Sequence, residues 1–98
     1  MKITSIRLYQ PRIDNKRKYE KMKKKGLKIF CAVTFDDQLL IKDIRLVEGQ
    51  KGLFLSFPST FNKAKGYIDL VHPLTKDFRL MVTDAIIKEY EAQQNMGN

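Results

Sequence analysis

Tryptophan is absent from this 98-residue chain, and cysteine and histidine occur once each. A single cysteine, Cys31, excludes an intramolecular disulfide, and nothing in the composition calls for an oxidising compartment. Its neighbours Phe30 and Ala32 place the thiol in an apolar strand, where burial raises a thiol's pKa, so Cys31 reads as inert core. The one histidine, His72, stands before Pro73 at a strand end, where a ring nitrogen more readily caps a backbone group than abstracts a proton. No nucleophile is paired with a base, so an enzyme is not expected. Asp36-Asp37 is turn chemistry without further ligands around it, so neither a metal nor a cofactor is expected. No apolar run approaches the ~18–20 residues that span a bilayer, and no signal peptide opens the chain. The expectation is a soluble, cytoplasmic protein of one small domain, short enough that oligomerisation helps complete its core.

Positive charge is what the chain has in excess. The net charge is +8, and nine basic residues against two acidic ones leave +7 of it between Arg12 and Lys28. The remainder, ten basic against nine acidic, carries only +1. A concentrated cationic segment attracts polyphosphate whatever its base sequence, which makes nucleic acid the leading partner on charge alone. The alternatives are a solvated loop kept charged for solubility, a docking face for an acidic protein, and a surface for anionic lipid. The lipid reading lacks the large apolar face of an interfacial helix.

Alternation places strands at Lys2 to Tyr9, with Thr4, Ile6 and Leu8 on one face, and at Leu27 to Phe35, with Leu27, Ile29, Cys31, Val33 and Phe35 on one face. Arg12 to Gly26 reads as a long mobile loop, since like-charge repulsion opposes a free helix. Leu39 to Val47 and Leu53 to Phe57 form a hairpin about Gly49 and Gly52. In that third strand Leu40, Ile44 and Leu46 share a face while Leu39, Ile41 and Val47 share the other, so both faces need cover. Tyr67 to His72 is a fifth strand, stopped by Pro73. Thr75 is an N-cap with Asp77 in the first turn, and Phe78, Val82, Ile86 and Tyr90 make an apolar stripe, with Leu80 and Ile87 off it. The fold expected is α+β, an antiparallel sheet of about five short strands with one C-terminal helix packed on it.

The strings Asp43-Ile44-Arg45, Gly49-x-x-Gly52-Leu53-Phe54, Pro58-Ser59, Asp69 and His72-Pro73, in that order and spacing, resemble the SpoVG family, the stage V sporulation protein G or septation regulators. The resemblance spans about residues 2–10 and 27–92, giving one domain over 1–92, a basic loop insertion at about 11–27, and a polar tail at 93–98 that frays. It implies a homodimer that binds DNA, and RNA as well, in gene regulation, septation and sporulation control. The apolar residues Leu39, Ile41 and Val47, left without cover, agree with a dimer.

Gly49-Gln50-Lys51-Gly52 has the letters of a KH-type GXXG loop, but strands flank it, so it encodes a turn with Lys51 at its tip. The connection 58–66 carries Lys63 and Lys65, with Asn62 and Thr60 able to donate to phosphate oxygens. The resemblance implies that this connection contacts nucleic acid. Phe61 beside them either stacks on an unpaired base or packs inward. Arg79 lies near a helix N-terminus, where guanidinium and free amides attract the same anion, or else pairs with Asp77 or Asp84. Asp43 and Arg45 read as a structural ion pair. The nucleic-acid candidates are Lys63, Lys65, Arg79, Lys51 and Asn62, with Lys16, Arg17, Lys18, Lys21, Lys23, Lys24 and Lys25 from the basic segment.

Overall fold

The structure, a computed structural model, describes residues 1–10 and 16–96, with the side chains at 16–19, 95 and 96 outside that description. Four strands, β1 (Ile3–Tyr9), β2 (Leu27–Phe35), β3 (Leu39–Gly49) and β4 (Gly52–Ser56), form one antiparallel sheet in the order β1-β2-β3-β4. Two more, β5 (Ser59–Asn62) and β6 (Gly66–Asp69), pair only with each other. The helix α1 (Lys16–Lys24) joins β1 to β2, and α2 (Lys76–Met96) closes the chain. The α+β fold is as the sequence indicates, with a sixth strand and an extra helix.

Helix α2 starts where its cap is. The Phe78 amide donates to the Thr75 hydroxyl at 3.1 Å, and Asp77 meets the positive end of the helix dipole. Phe78, Val82, Ile86, Ile87 and Tyr90 then cover Cys31, Val33, Phe35, Ile44, Leu46 and Leu55. Val82 and Ile86 are fully buried, worth about 1.5–3 kcal/mol each. Ile87 belongs to this core rather than to a second contact, whereas Leu80 stays exposed. The helix continues to Met96, so the polar residues from Gln93 begin inside its last turns.

Three register shifts correct the simple alternation. Between Ile3 and Ser5 one extra residue brings Ile3 onto the core face with Ile6 and Leu8. Between Leu27 and Ile29 another turns Leu27 to the opposite face, opposite Val47. In β3, Lys42 and Asp43 together oppose Ala32, because Cys31 pairs with Ile44 and Val33 with Ile41. Leu39 and Ile41 therefore share the α2 face with Ile44 and Leu46, and Val47 lies on the other. The third strand is not apolar on both faces along its length.

The β3 bulge has a specific cause. Asp43 sits at φ 63°, a left-handed conformation uncommon for a non-glycine residue. Its amide donates to the Tyr9 hydroxyl at 2.9 Å, and that hydroxyl donates to the Asp43 carboxylate at 2.6 Å. Burial first, and the Asp43 hydrogen bond second, push the Tyr9 phenol up to about 12. The expected Asp43–Arg45 ion pair is replaced by this exchange, and the Arg45 guanidinium lies 5.5 Å from the Phe30 ring centroid instead.

Candidate nucleic-acid interface

From Lys16 to Lys24 the basic segment is a helix, not a loop. Glu20 stands four residues before Lys24, the favourable order for such a pair, and Lys21, Lys23 and Lys24 occupy the last turn, where the dipole is negative. These small terms are joined by two anchors. Met22 is half-buried against the sheet, and Gly26 ends the helix at φ +105°. The Gly26 amide donates to the Lys23 carbonyl at 3.0 Å, and the Gly26 carbonyl accepts from the Glu48 amide at 2.8 Å. A side chain at Gly26 would put its Cβ 2.3 Å from the Glu48 carbonyl oxygen, so glycine is what lets α1 dock on β3. Lys21, Lys23, Lys24 and Lys25 are thereby carried on an ordered element. The side chains of Lys16, Arg17 and Lys18, and residues 11–15 of the proposed insertion, lie outside the described residues.

The connection 58–66 is also ordered. It holds β5 and the turn that leads to β6, and the Asn62 carboxamide oxygen accepts from the amides of Ala64 at 2.8 Å and Lys65 at 3.2 Å. Asn62 shapes the turn whose tip carries Lys63 and Lys65, so its oxygen serves the backbone. Phe61 packs edge-on against Tyr67 at 5.3 Å while both stay exposed. The hairpin base is closed by the Leu70 amide donating to the Pro58 carbonyl at 2.7 Å. Arg79 stands beside that base, its guanidinium 5.5 Å from the Phe57 ring centroid rather than paired with a carboxylate.

These residues do not form one patch. The end of β1, the start of β2 and the β3–β4 turn meet at one end of the sheet, which gathers α1 and Lys51. The Phe35–Leu39 turn and the start of α2 lie at the other end, where Phe78 meets Phe35. Phe57, by contrast, follows the Ser56–Arg45 pair and stands level with the middle of β2, where the Arg79 guanidinium reaches it and the base of the β5–β6 hairpin begins. From Lys51 to Phe57 the chain runs six residues along β4, about 20 Å at a strand's rise. The cations thus sit in two separate groups. At the first group Lys28 is bound to Glu48 at 2.9 Å, which raises the Lys28 pKa.

On the sheet face away from α2, Tyr9, Phe30, Arg45 and Ser56 stand in a row across all four strands, and Leu27, Val47 and Phe54 form the row beside it. Met22, Lys25, Leu27, Arg45, Val47, Phe54 and Ser56 line an open cleft of about 240 Å³ there. Only a reading that includes the bulges puts them together. Burial pushes the Cys31 thiol up to about 12, as expected of a structural cysteine. The His72 Nδ1 lies 3.1 Å from the Pro73 carbonyl. No group of three or more potential metal ligands occurs among the described residues.

Fold and site together define a small, basic α+β domain, a four-stranded sheet and a two-stranded hairpin with two separate groups of cations. The SpoVG family profile matches residues 1–92, and the chain belongs to the SpoVG family. It is 41% identical over 90 residues to a Borrelia hermsii protein named "Putative septation protein SpoVG", covering 92% of this chain and 86% of the relative. Proteins of the same name are similar in Archaeoglobus fulgidus, at 33% over 92 residues (94% and 96% covered), and in Alkaliphilus oremlandii, at 32% over 96 residues (98% and 92%). That name denotes septation, not a reaction. No described helix is long and apolar enough to cross a membrane.

Proposed function

We propose that this protein is a non-enzymatic, cytoplasmic regulator that binds DNA, and RNA as well, and acts in gene expression, septation and sporulation control. The observation that carries this reading is the pair of cationic groups on ordered elements, α1 with Lys51 at one end of the sheet, and Lys63, Lys65 and Arg79 about the hairpin that follows β4. Cations held by a helix or a tight turn keep a register on a phosphate backbone, which cations on a free loop do not. The relatives' name supports the septation link.

The chain acts as a homodimer. Large apolar residues follow one another exposed from Phe61 to Met81, with Tyr67 at 79% and Leu74 at 91% exposure. Monomeric proteins rarely leave so much apolar surface to water. The β5–β6 hairpin and the start of α2, rather than the third strand, are where a second copy fits. The basic faces also fit the competing reading, a module that docks an acidic protein partner in cell division.

The test is a binding series with duplex DNA, single-stranded DNA, RNA, an acidic peptide and anionic vesicles. Salt-sensitive binding to nucleic acid, tighter than to peptide or vesicle at equal charge, is the expected result. Preference for the peptide would replace this reading with the second.

A further inference from the structure

We propose that the cleft between α1 and β3–β4 takes an unpaired base of a single-stranded nucleic acid. The proposal rests on the nucleic-acid reading above and adds the part of the ligand that the cleft selects. Leu27 and Val47 make an apolar floor, Met22 one wall and the Phe54 ring the other. Lys25, just past the end of α1, and Arg45 on β3 each bring a cation, and no carboxylate lines the cleft among the described residues. Ser56, half-buried, offers a hydroxyl able to donate or accept at a base edge. An apolar slot with an aromatic wall, flanked by cations, matches a flat heterocycle carried on an anionic backbone. About 240 Å³ is smaller than a drug-sized pocket and suits one ring system.

Phe54 is held for this task. It is 48% exposed, so core packing does not account for it. Its ring crosses Gly49 so closely that a Cβ there would come within 2.9 Å of the ring edge. Glycine at 49 thus leaves room for the ring edge beside the β3 backbone, on the side of the cleft. Bases in a duplex are already stacked and paired and cannot enter, so the cleft distinguishes single strands from duplexes. The cationic groups alone do not, because phosphates are common to both.

The experiment compares the full-length protein with Phe54→Ala, Phe54→Leu and Gly49→Ala on single-stranded DNA, RNA and duplex DNA of one sequence at fixed salt. Single strands containing 2-aminopurine report stacking by fluorescence, and circular dichroism confirms the fold. Phe54→Ala and Phe54→Leu should weaken single-strand binding about 10-fold, abolish the 2-aminopurine quench, and change duplex binding less than about twofold. Gly49→Ala, which keeps the ring but displaces it, should shift single-strand binding the same way. A loss on RNA alone or DNA alone supports the proposal and identifies the sugar that fits. Equal losses on duplex and single strand, or full affinity in Phe54→Leu, would overturn it. So would a Phe54→Ala variant that turns a dimer into a monomer, since the face would then belong to a second copy. Wild-type protein that binds duplex but no single strand defeats this proposal alone. Wild-type protein that binds no nucleic acid defeats the underlying reading too.

Discussion

Replacing Gly26 with alanine tests whether the basic helix is docked on the sheet. Gly26 lies at φ +105°, where a Cβ costs about 1–2 kcal/mol in backbone strain. The new Cβ would also sit 2.3 Å from the Glu48 carbonyl oxygen, so the chains must part, and the 2.8 Å bond from the Glu48 amide to the Gly26 carbonyl is lost. That adds about 1 kcal/mol. Together the loss is about 2–3 kcal/mol, which lowers the melting temperature by roughly 10–20 °C in a domain of this size. Gly52→Ala is the control. Gly52 has a similar φ of +116° but open space around it, so it incurs the strain without the clash. The gain in unfolded-state order from alanine is common to both variants and cancels. Urea unfolding of the two should differ by about 1 kcal/mol, Gly26→Ala being the weaker. Equal stabilities would refute the docking of α1 on β3, and the first cationic group would lose its ordered support.

Tyr9→Phe removes the hydroxyl that holds the bulge and leaves the Asp43 amide without that partner, so stability should fall by about 1–3 kcal/mol in urea unfolding. Because the folded-state pKa of Tyr9 is raised from 10.0 to about 12, its contribution is complete below pH 10 and is lost as the pH rises toward 12; one tyrosine should ionise late in an absorbance titration. Sedimentation equilibrium should show a dimer at micromolar concentration, and Leu74→Asp should shift it toward monomer; a monomeric wild type with full nucleic-acid binding would contradict the dimer. Changing Lys16, Arg17, Lys18, Lys21, Lys23, Lys24 and Lys25 together to glutamine should cost less than about 1 kcal/mol, because Met22 and Gly26 hold α1 rather than its charges; a larger loss would give the lysines a structural role.

Periodic features were legible in the sequence and long-range ones were not. The C-terminal helix shows in its four-residue spacing and in Thr75, and β2 in its alternation, because each is encoded within a few residues. The bulge at Lys42 and Asp43 is invisible to alternation because it depends on a tyrosine hydroxyl 34 residues away. Missing it assigned Leu39 and Ile41 to the wrong face and lent the third strand an apolar back it does not have. The helix α1 was hidden by its charge density, since its anchors, Met22 and Gly26, act through tertiary contact with β3 and its neighbours. Residues 59–62, STFN, are too few to show a period. Charge identified the candidate cations, but only the strand register divides them into two separate groups.

Salt titration of duplex binding tests the central claim most directly. With roughly five phosphates neutralised, log affinity should fall against log salt with a slope of about −4 to −5. Neutralising the α1 lysines should flatten that slope and weaken a selected and a scrambled sequence alike. Neutralising Lys63, Lys65 and Arg79 should weaken the selected sequence more than the scrambled one, because those groups stand on a fixed turn and helix start. A slope near zero for the wild-type protein would contradict phosphate recognition altogether, and equal losses on both sequences would reduce the second group to general attraction.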